Sequence, residues 1–228
     1  MRSYYIHFDE SASDHPPFWF IRPATQGEAQ VSKDIEQTYR DGLGFEDYRA
    51  HLRVHARAFS DVHEGLAFVC GEQTGNAPFG RCRILVLTED YCIDSVLNVP
   101  LIARLTEASP DAELRIAGRD AHAVLAEGFP GRGGVSRLPT AIFLGQSGQV
   151  LGYWSERSKR DHEWMATFLE QDPMPQITLD AGTPVPALAD WMDRRLKSQW
   201  PVFRTHSWRA ARDELCVIAA SLDGAPAS

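Results

Sequence analysis

Lysine and arginine are in the minority in this chain of 228 residues, 23 against 31 aspartates and glutamates. The formal net charge of -8 removes the positive footprint that binding along a phosphate backbone requires, so nucleic acid is not an expected partner. The short basic run Arg157, Lys159 and Arg160 reads as a solvated approach to a helix. Cysteine is scarce as well. Four residues, Cys70, Cys82, Cys92 and Cys216, lack paired metal-ligand spacing and are too few for a disulfide scaffold, so reduced thiols and no bound metal are expected. No apolar run approaches the ~20 residues that span a bilayer. The N-terminal stretch MRSYYIHFDESASD has neither the continuous apolar segment nor the small-residue cleavage site of a secretory signal. A cytoplasmic location without membrane association is the default expectation.

What remains is a composition of ordinary globular kind, 43% hydrophobic and 24% charged, long enough for one large domain or for one domain with extensions. The segment up to about residue 25 reads as irregular, packed by Phe18, Trp19 and Phe20. Helical periodicity follows over 28–40 and again over 45–59, where Phe45, Tyr48, Leu52 and Phe59 share a face. The loop GEQTGNAPFG closes this helical part at residue 80. The run Ile84-Leu85-Val86-Leu87 has the length and composition of a buried strand. Residues 92–108 then place Val96, Leu97, Leu101 and Leu105 on one side of an amphipathic helix that Pro100 is expected to kink. A second strand at Leu114 and Ile116, a helix over 121–129 with Val124 and Leu125 inward, strands at 140–144 and 150–154, and a helix over 161–171 complete the order β-α-β-α-β-β-α. The first two strands need a parallel crossover and the last two form a hairpin. The proline-rich stretch 172–186 reads as a linker before helices at 187–198 and 207–221. The organisation is thus a helical N-terminal extension (1–79), an α/β domain (80–172), and a linker with C-terminal helices (173–228).

The chemically pointed residue is Cys92. A cysteine in the first turn of a helix faces unpaired N–H groups and the positive end of the helix dipole, which favour thiolate and lower its pKa. Ser95, one turn on, is placed to donate its hydroxyl to the sulfur. The alternative is a small core residue that happens to start a helix.

The stretches LTEDYCIDSVLNVPLIARL, Arg119-Asp120 and RLPTAIFLGQSGQVLGYW decide between these readings in combination, because together they resemble the thioredoxin-like family, most closely a bacterial branch with a TEDWCGDC-type motif. The resemblance covers roughly residues 80–172. It implies a thioredoxin fold, a cis peptide bond before Pro139, and a substrate-binding surface formed by Tyr91, at the place of the family's aromatic, and the backbone of Leu138. Two departures bear on mechanism: Ser95 replaces the second cysteine of the CxxC pair, and Val86 stands where many thioredoxins carry a buried acid. The implied activity is therefore thiol-disulfide oxidoreduction of a monothiol (CxxS) kind on protein or small-molecule disulfides, with Cys92, Ser95 and Pro139 as its catalytic group. Glutathione or another low-molecular-weight thiol would serve as co-substrate, with no cofactor bound. Arg132 and Arg137 would receive its carboxylate, unless they are ordinary surface charge.

Two further readings stay open: a redox-inactive thioredoxin-like module that binds a protein partner, and a glutathione-transferase-like enzyme, which two C-terminal helices fit poorly. His51 and His55 are spaced i, i+4 on the expected helix, without a visible third metal ligand. Gly131 to Gly134 reads as slack before Pro139. Cys82 is expected roughly 30 Å from Cys92 along an extended strand, and Cys70 and Cys216 are outside candidates for a resolving thiol.

Overall fold

The computed structural model describes residues 26–71, 77–174 and 186–220. Its centre is β1, Arg83–Thr88, in which Ile84 to Thr88 are buried on both faces and Arg83 is half-buried. β1 runs parallel to β2, Glu113–Gly118, and antiparallel to β3, Thr140–Leu144, so that Val86 lies between Ile116 and Ala141. β3 pairs antiparallel with β4, Val150–Ser155, and the spatial order is β2-β1-β3-β4. The expected order of elements and the hairpin are therefore present, as a thioredoxin fold requires. The hairpin closes through Gly148 at φ +87°, a backbone conformation open to glycine at no steric cost.

Alternation along β1 divides the interior. Ile84 and Val86 face one cluster with Val96, Leu97, Phe143 and Trp208. Leu85 and Leu87 face another with Ile35, Tyr39, Phe129 and Ile142. The second face is covered by α1, Gln26–Asp41, and by a short α6, Ala123–Glu127. Arg83 fastens α1 there through a two-pronged ion pair with Glu36, at 3.0 and 2.9 Å. Just beyond α1, Leu43 pairs with Ile116 as an isolated antiparallel bridge on the free edge of β2. Gly42 permits this approach, since a Cβ there would stand 3.1–3.3 Å from Arg115 Cβ, Thr38 O and Ile116 O.

On the first face the crossover helix α5, Ile93–Glu107, is buried on nearly every side, not amphipathic as its spacing suggested. The sheet lies on one side of it. α3 (Ala56–Gly65), α4 (Phe68–Gly71) and α9 (Trp208–Ala220) lie against it elsewhere. Pro100 sits inside it as expected.

Three expectations are corrected. The stretch 45–59 is not one helix: α2, Phe45–His51, stops, and α3 begins after His55, which adopts a left-handed φ of 57°. The Asp90 carboxylate accepts from the backbone N–H groups of Arg53 and Val54 at 3.1 and 3.3 Å and so stabilises the break. The apolar face itself survives, for Phe45 and Tyr48 both meet the Phe59 ring, at 5.6 and 5.9 Å. Second, residues 120–122 form a 3₁₀ turn before α6, and Val124 is 85% exposed while Leu125 and Ala126 turn inward. Third, the C-terminal helices are continuous. α8, Pro186–Val202, passes through one π turn at Phe203–Ser207 into α9. Pro201, which supplies no N–H, sits where the ladder widens. α7, Lys159–Gln171, has Ser158 as N-cap accepting from Asp161 N at 3.1 Å.

The expected irregular segment before residue 26, part of the Gly-rich loop and most of the proline-rich linker lie outside the described residues. No helix among the described residues is long and apolar enough to cross a membrane.

Trp208 ties α9 to the common core: it is fully buried and meets Phe68 edge-on at 5.3 Å. Replacing it by Ala should lower the unfolding free energy by about 3–5 kcal/mol in urea titrations followed by circular dichroism.

Candidate functional site

β1 ends at Thr88, the chain turns with Cys92 N–H donating to Glu89 O at 3.3 Å, and Cys92 becomes the N-cap of α5. Its backbone is extended, φ -88° and ψ 120°, while its carbonyl accepts the first helical bond, from Val96 N at 3.1 Å. The thiol points across the site, with Sγ 3.6 Å from Leu138 O, to which it donates. The Leu138–Pro139 bond is cis. Pro139 O accepts from Glu156 N at 2.8 Å, and Thr140 Oγ1 donates to Arg137 O at 2.8 Å, which anchors the loop on both sides. Ser95 is buried one turn beyond Cys92, its hydroxyl without a well-formed hydrogen bond to oxygen or nitrogen.

The electrostatics reverse one expectation. Burial pushes the Cys92 thiol up, and the Asp94 carboxylate beside it pushes in the same direction. The Ser95 hydroxyl and the N–H groups of Ser95 and Asp94 pull back without prevailing. Cys92 is half-buried, so the thiol keeps some access to solvent, but the helix N-terminus does not offset the loss of water around the sulfur together with the adjacent carboxylate.

Asp94 is the residue that the sequence reading overlooked. An aspartate in a first helical turn is ordinarily exposed; this one is 4% exposed and bonded to two arginines. Arg157 contributes Nε at 2.9 Å and a terminal nitrogen at 2.6 Å, and Arg195 from α8 contributes a terminal nitrogen at 2.5 Å. Burial alone would raise the Asp94 carboxyl, but Arg195 and Arg157 override it and hold it below the usual range. Arg157 is consequently no solvated approach to a helix: its side chain is 11% exposed, and only its neighbours Lys159 and Arg160 face solvent. Glu156, in a left-handed φ of 70°, bonds Arg157 at 2.8 Å, and burial raises its carboxyl. Asn98 binds the carbonyls of Asp94 and Glu156 at 3.0 and 3.3 Å and links helix to loop. The aspartate between Cys92 and Ser95 was a local signal; Arg195, 101 residues away, left none.

The remaining expected residues are placed as follows. Tyr91 is 43% exposed beside Cys92, its hydroxyl held by Arg119 at 3.1 Å and Asp120 at 3.3 Å. Arg132 and Arg137 are exposed on the loop before Pro139 and act electrostatically on His162, and Arg137 on Glu156. Gly131 to Gly134 is not slack. It forms a closed turn with Pro130 bridged to Ser136, in which Gly133 and Gly134 have φ of +80° and +73°. His51 is exposed and bonded to Asp47 O, and the helix break separates it from His55, so the shared helical face is absent. Among the described residues no group of three or more His, Cys, Asp or Glu is arranged to hold a metal ion. Val86 is buried in β1. Cys82 and Cys216 are free thiols, each pushed up to about 11, chiefly by burial; the Cys70 side chain lies outside the described residues.

The family model described as Thioredoxin matches residues 74–171. No curated protein matches the chain. Two solved structures resemble it. One is a protein of unknown function from Pseudomonas aeruginosa, at 15% identity over 73% of this chain and 95% of that one, with a TM-score of 0.46. The other is an HIV epitope-scaffold, at 17% identity over 72% and 97%, with a TM-score of 0.45.

His162 yields a pH test. Burial, followed by Arg157, Arg132 and Arg137, pushes its pKa down to about 4. The unfolded chain therefore takes up this proton first as acid is added, so the stability contributed by neutral His162 is intact above about 6.5 and is lost as pH falls towards 4. The unfolding free energy of wild type should decline through that window, and His162→Gln should flatten this part of the profile.

Proposed function

Residues 74–171 are a thioredoxin-like domain, and we propose that the chain works as a monothiol thiol-disulfide oxidoreductase through Cys92. One observation carries this reading: a helix-capping thiol lies 3.6 Å from the Leu138 carbonyl beside a cis-proline, with a buried serine where a second thiol would stand. Cys92 loses its proton to solvent, and the thiolate attacks one sulfur of a mixed disulfide. The S–S bond breaks, a bond from Cys92 to the smaller thiol forms, and the other sulfur leaves as a thiolate that takes up a proton. A second molecule of low-molecular-weight thiol, as thiolate, then attacks this adduct, releasing its own disulfide and restoring Cys92. Glutathione is the thiol that the arginines favour, since Arg132 and Arg137 stand exposed on the loop leading to Pro139 and suit a carboxylate. Tyr91 and the Leu138 backbone border the approach.

The raised thiol supports a second reading, a redox-inactive domain that holds a protein partner in the same groove. A thiol kept protonated is a poor nucleophile at neutral pH. Incubation with oxidised glutathione followed by intact-mass analysis separates the two. An adduct on Cys92 supports the first, and its absence from neutral to alkaline pH supports the second.

Wild type should reduce a small glutathione mixed disulfide, faster as pH rises, and leave insulin disulfides nearly untouched. Cys92→Ser should abolish turnover. Ser95→Cys should add insulin reduction by closing a disulfide within one helical turn, although Val86 leaves β1 without the buried acid that many thioredoxins carry there. Efficient insulin reduction by wild type would refute the monothiol scheme.

A further inference from the structure

Arg195 is the one member of the buried charge cluster that comes from the C-terminal helices. It is 6% exposed, and Gln199, one turn further along α8 and itself buried, accepts from its Nε at 3.3 Å. The free end of the guanidinium then reaches Asp94 Oδ1, the same oxygen that Arg157 Nε binds from the opposite chain segment. Asp94 would have a two-pronged partner in Arg157 without it. The second guanidinium is an addition made by α8 to the first turn of α5, two residues from the thiol.

We propose that Arg195 is a positioning residue for the Cys92 site: its positive charge, locked on Asp94, offsets that carboxylate and so sets how readily the neighbouring thiol ionises. The inference rests on Cys92 being the reacting group, as proposed above.

Charge balance carries it. With both carboxylates ionised, Asp94 and Glu156 oppose Arg157 and Arg195 and the cluster is neutral; without Arg195 a net negative charge stays buried beside the sulfur. The other groups facing this region are few. The loop after β4 supplies Glu156 and Arg157, α7 supplies Asp161 and His162, the loop before Pro139 supplies Arg132 and Arg137, the turn after β1 supplies Glu89 and Asp90, and α2 supplies Tyr48, whose hydroxyl senses these two carboxylates and the Cys92 charge. His162 is depressed and neutral at pH 7, so it does not replace the lost cation. A thiol already pushed up by burial and by Asp94 is then pushed further.

The test is the pH profile of Cys92 alkylation in the full-length chain, read by peptide mapping, with circular dichroism confirming the fold. Arg195→Met should move the ionisation midpoint upward and slow alkylation at pH 7 by roughly threefold or more, about half a pH unit. Arg195→Lys, which keeps a point charge within reach of Asp94, should return most of that loss. An unchanged midpoint in folded Arg195→Met overturns the proposal, as does a Lys variant displaced as far as the Met variant. If Arg195→Met does not fold, Asp94→Asn decides: it should lower the midpoint, and a midpoint that stays in place overturns the proposal. Because alkylation needs no disulfide substrate, a displaced midpoint in a protein that turns over no disulfide would leave this inference standing and remove the oxidoreductase reading.

Discussion

A carboxylate with almost no access to water has to be matched by cations, and the arrangement around Asp94 follows from that requirement. Two guanidinium groups converge on it from segments before α7 and within α8. Breaking such a pair by removing one partner typically costs about 3–5 kcal/mol, because the remaining charge stays buried. Asp94 sits in the first turn of α5, so the cluster also fixes the helix end that presents Cys92. The cis-proline loop is joined to the same cluster through Glu156, whose N–H binds Pro139 O and whose carboxylate binds Arg157. Thiol, proline loop and C-terminal helices are thereby parts of one polar unit inside an apolar shell.

That shell exists because β1 is apolar on both faces. Its odd and even residues feed separate clusters, and each cluster needs its own cover. α1 and α6 serve one face. On the other, α5 is itself covered by α3 and α9, which explains why its sequence carries so little polar surface. Extra helices at both ends of the chain are thus partners of the sheet. The N-terminal part also bonds the free edge of β2 through Leu43, which blunts an exposed strand.

The thiol illustrates a competition between two opposed effects. A helix terminus contributes a partial positive charge and two N–H groups, while burial and an adjacent carboxylate disfavour charge. In solvated active sites the former prevails. Here the latter does, and the balance depends on how fully Asp94 is neutralised, which links a remote arginine to sulfur chemistry.

The order of strands and helices, the parallel crossover, the hairpin and the place of Cys92 between strand and helix were legible in the sequence, because they rest on local periodicity and on Gly and Pro punctuation. So were Ser95 and Pro139, through two short stretches, each contiguous in the chain, that resemble one family in combination. The break at His55 was not, because it depends on Asp90 reaching back to two N–H groups that periodicity ignores. Val124 was misplaced for a related reason: a three-residue turn rotates the short helix that follows. The direction of the thiol's pKa escaped the sequence altogether. Dipole and hydroxyl effects act over one helical turn and can be read from neighbours, whereas desolvation and the Arg195 contact arise only when segments 101 residues apart close over the same carboxylate.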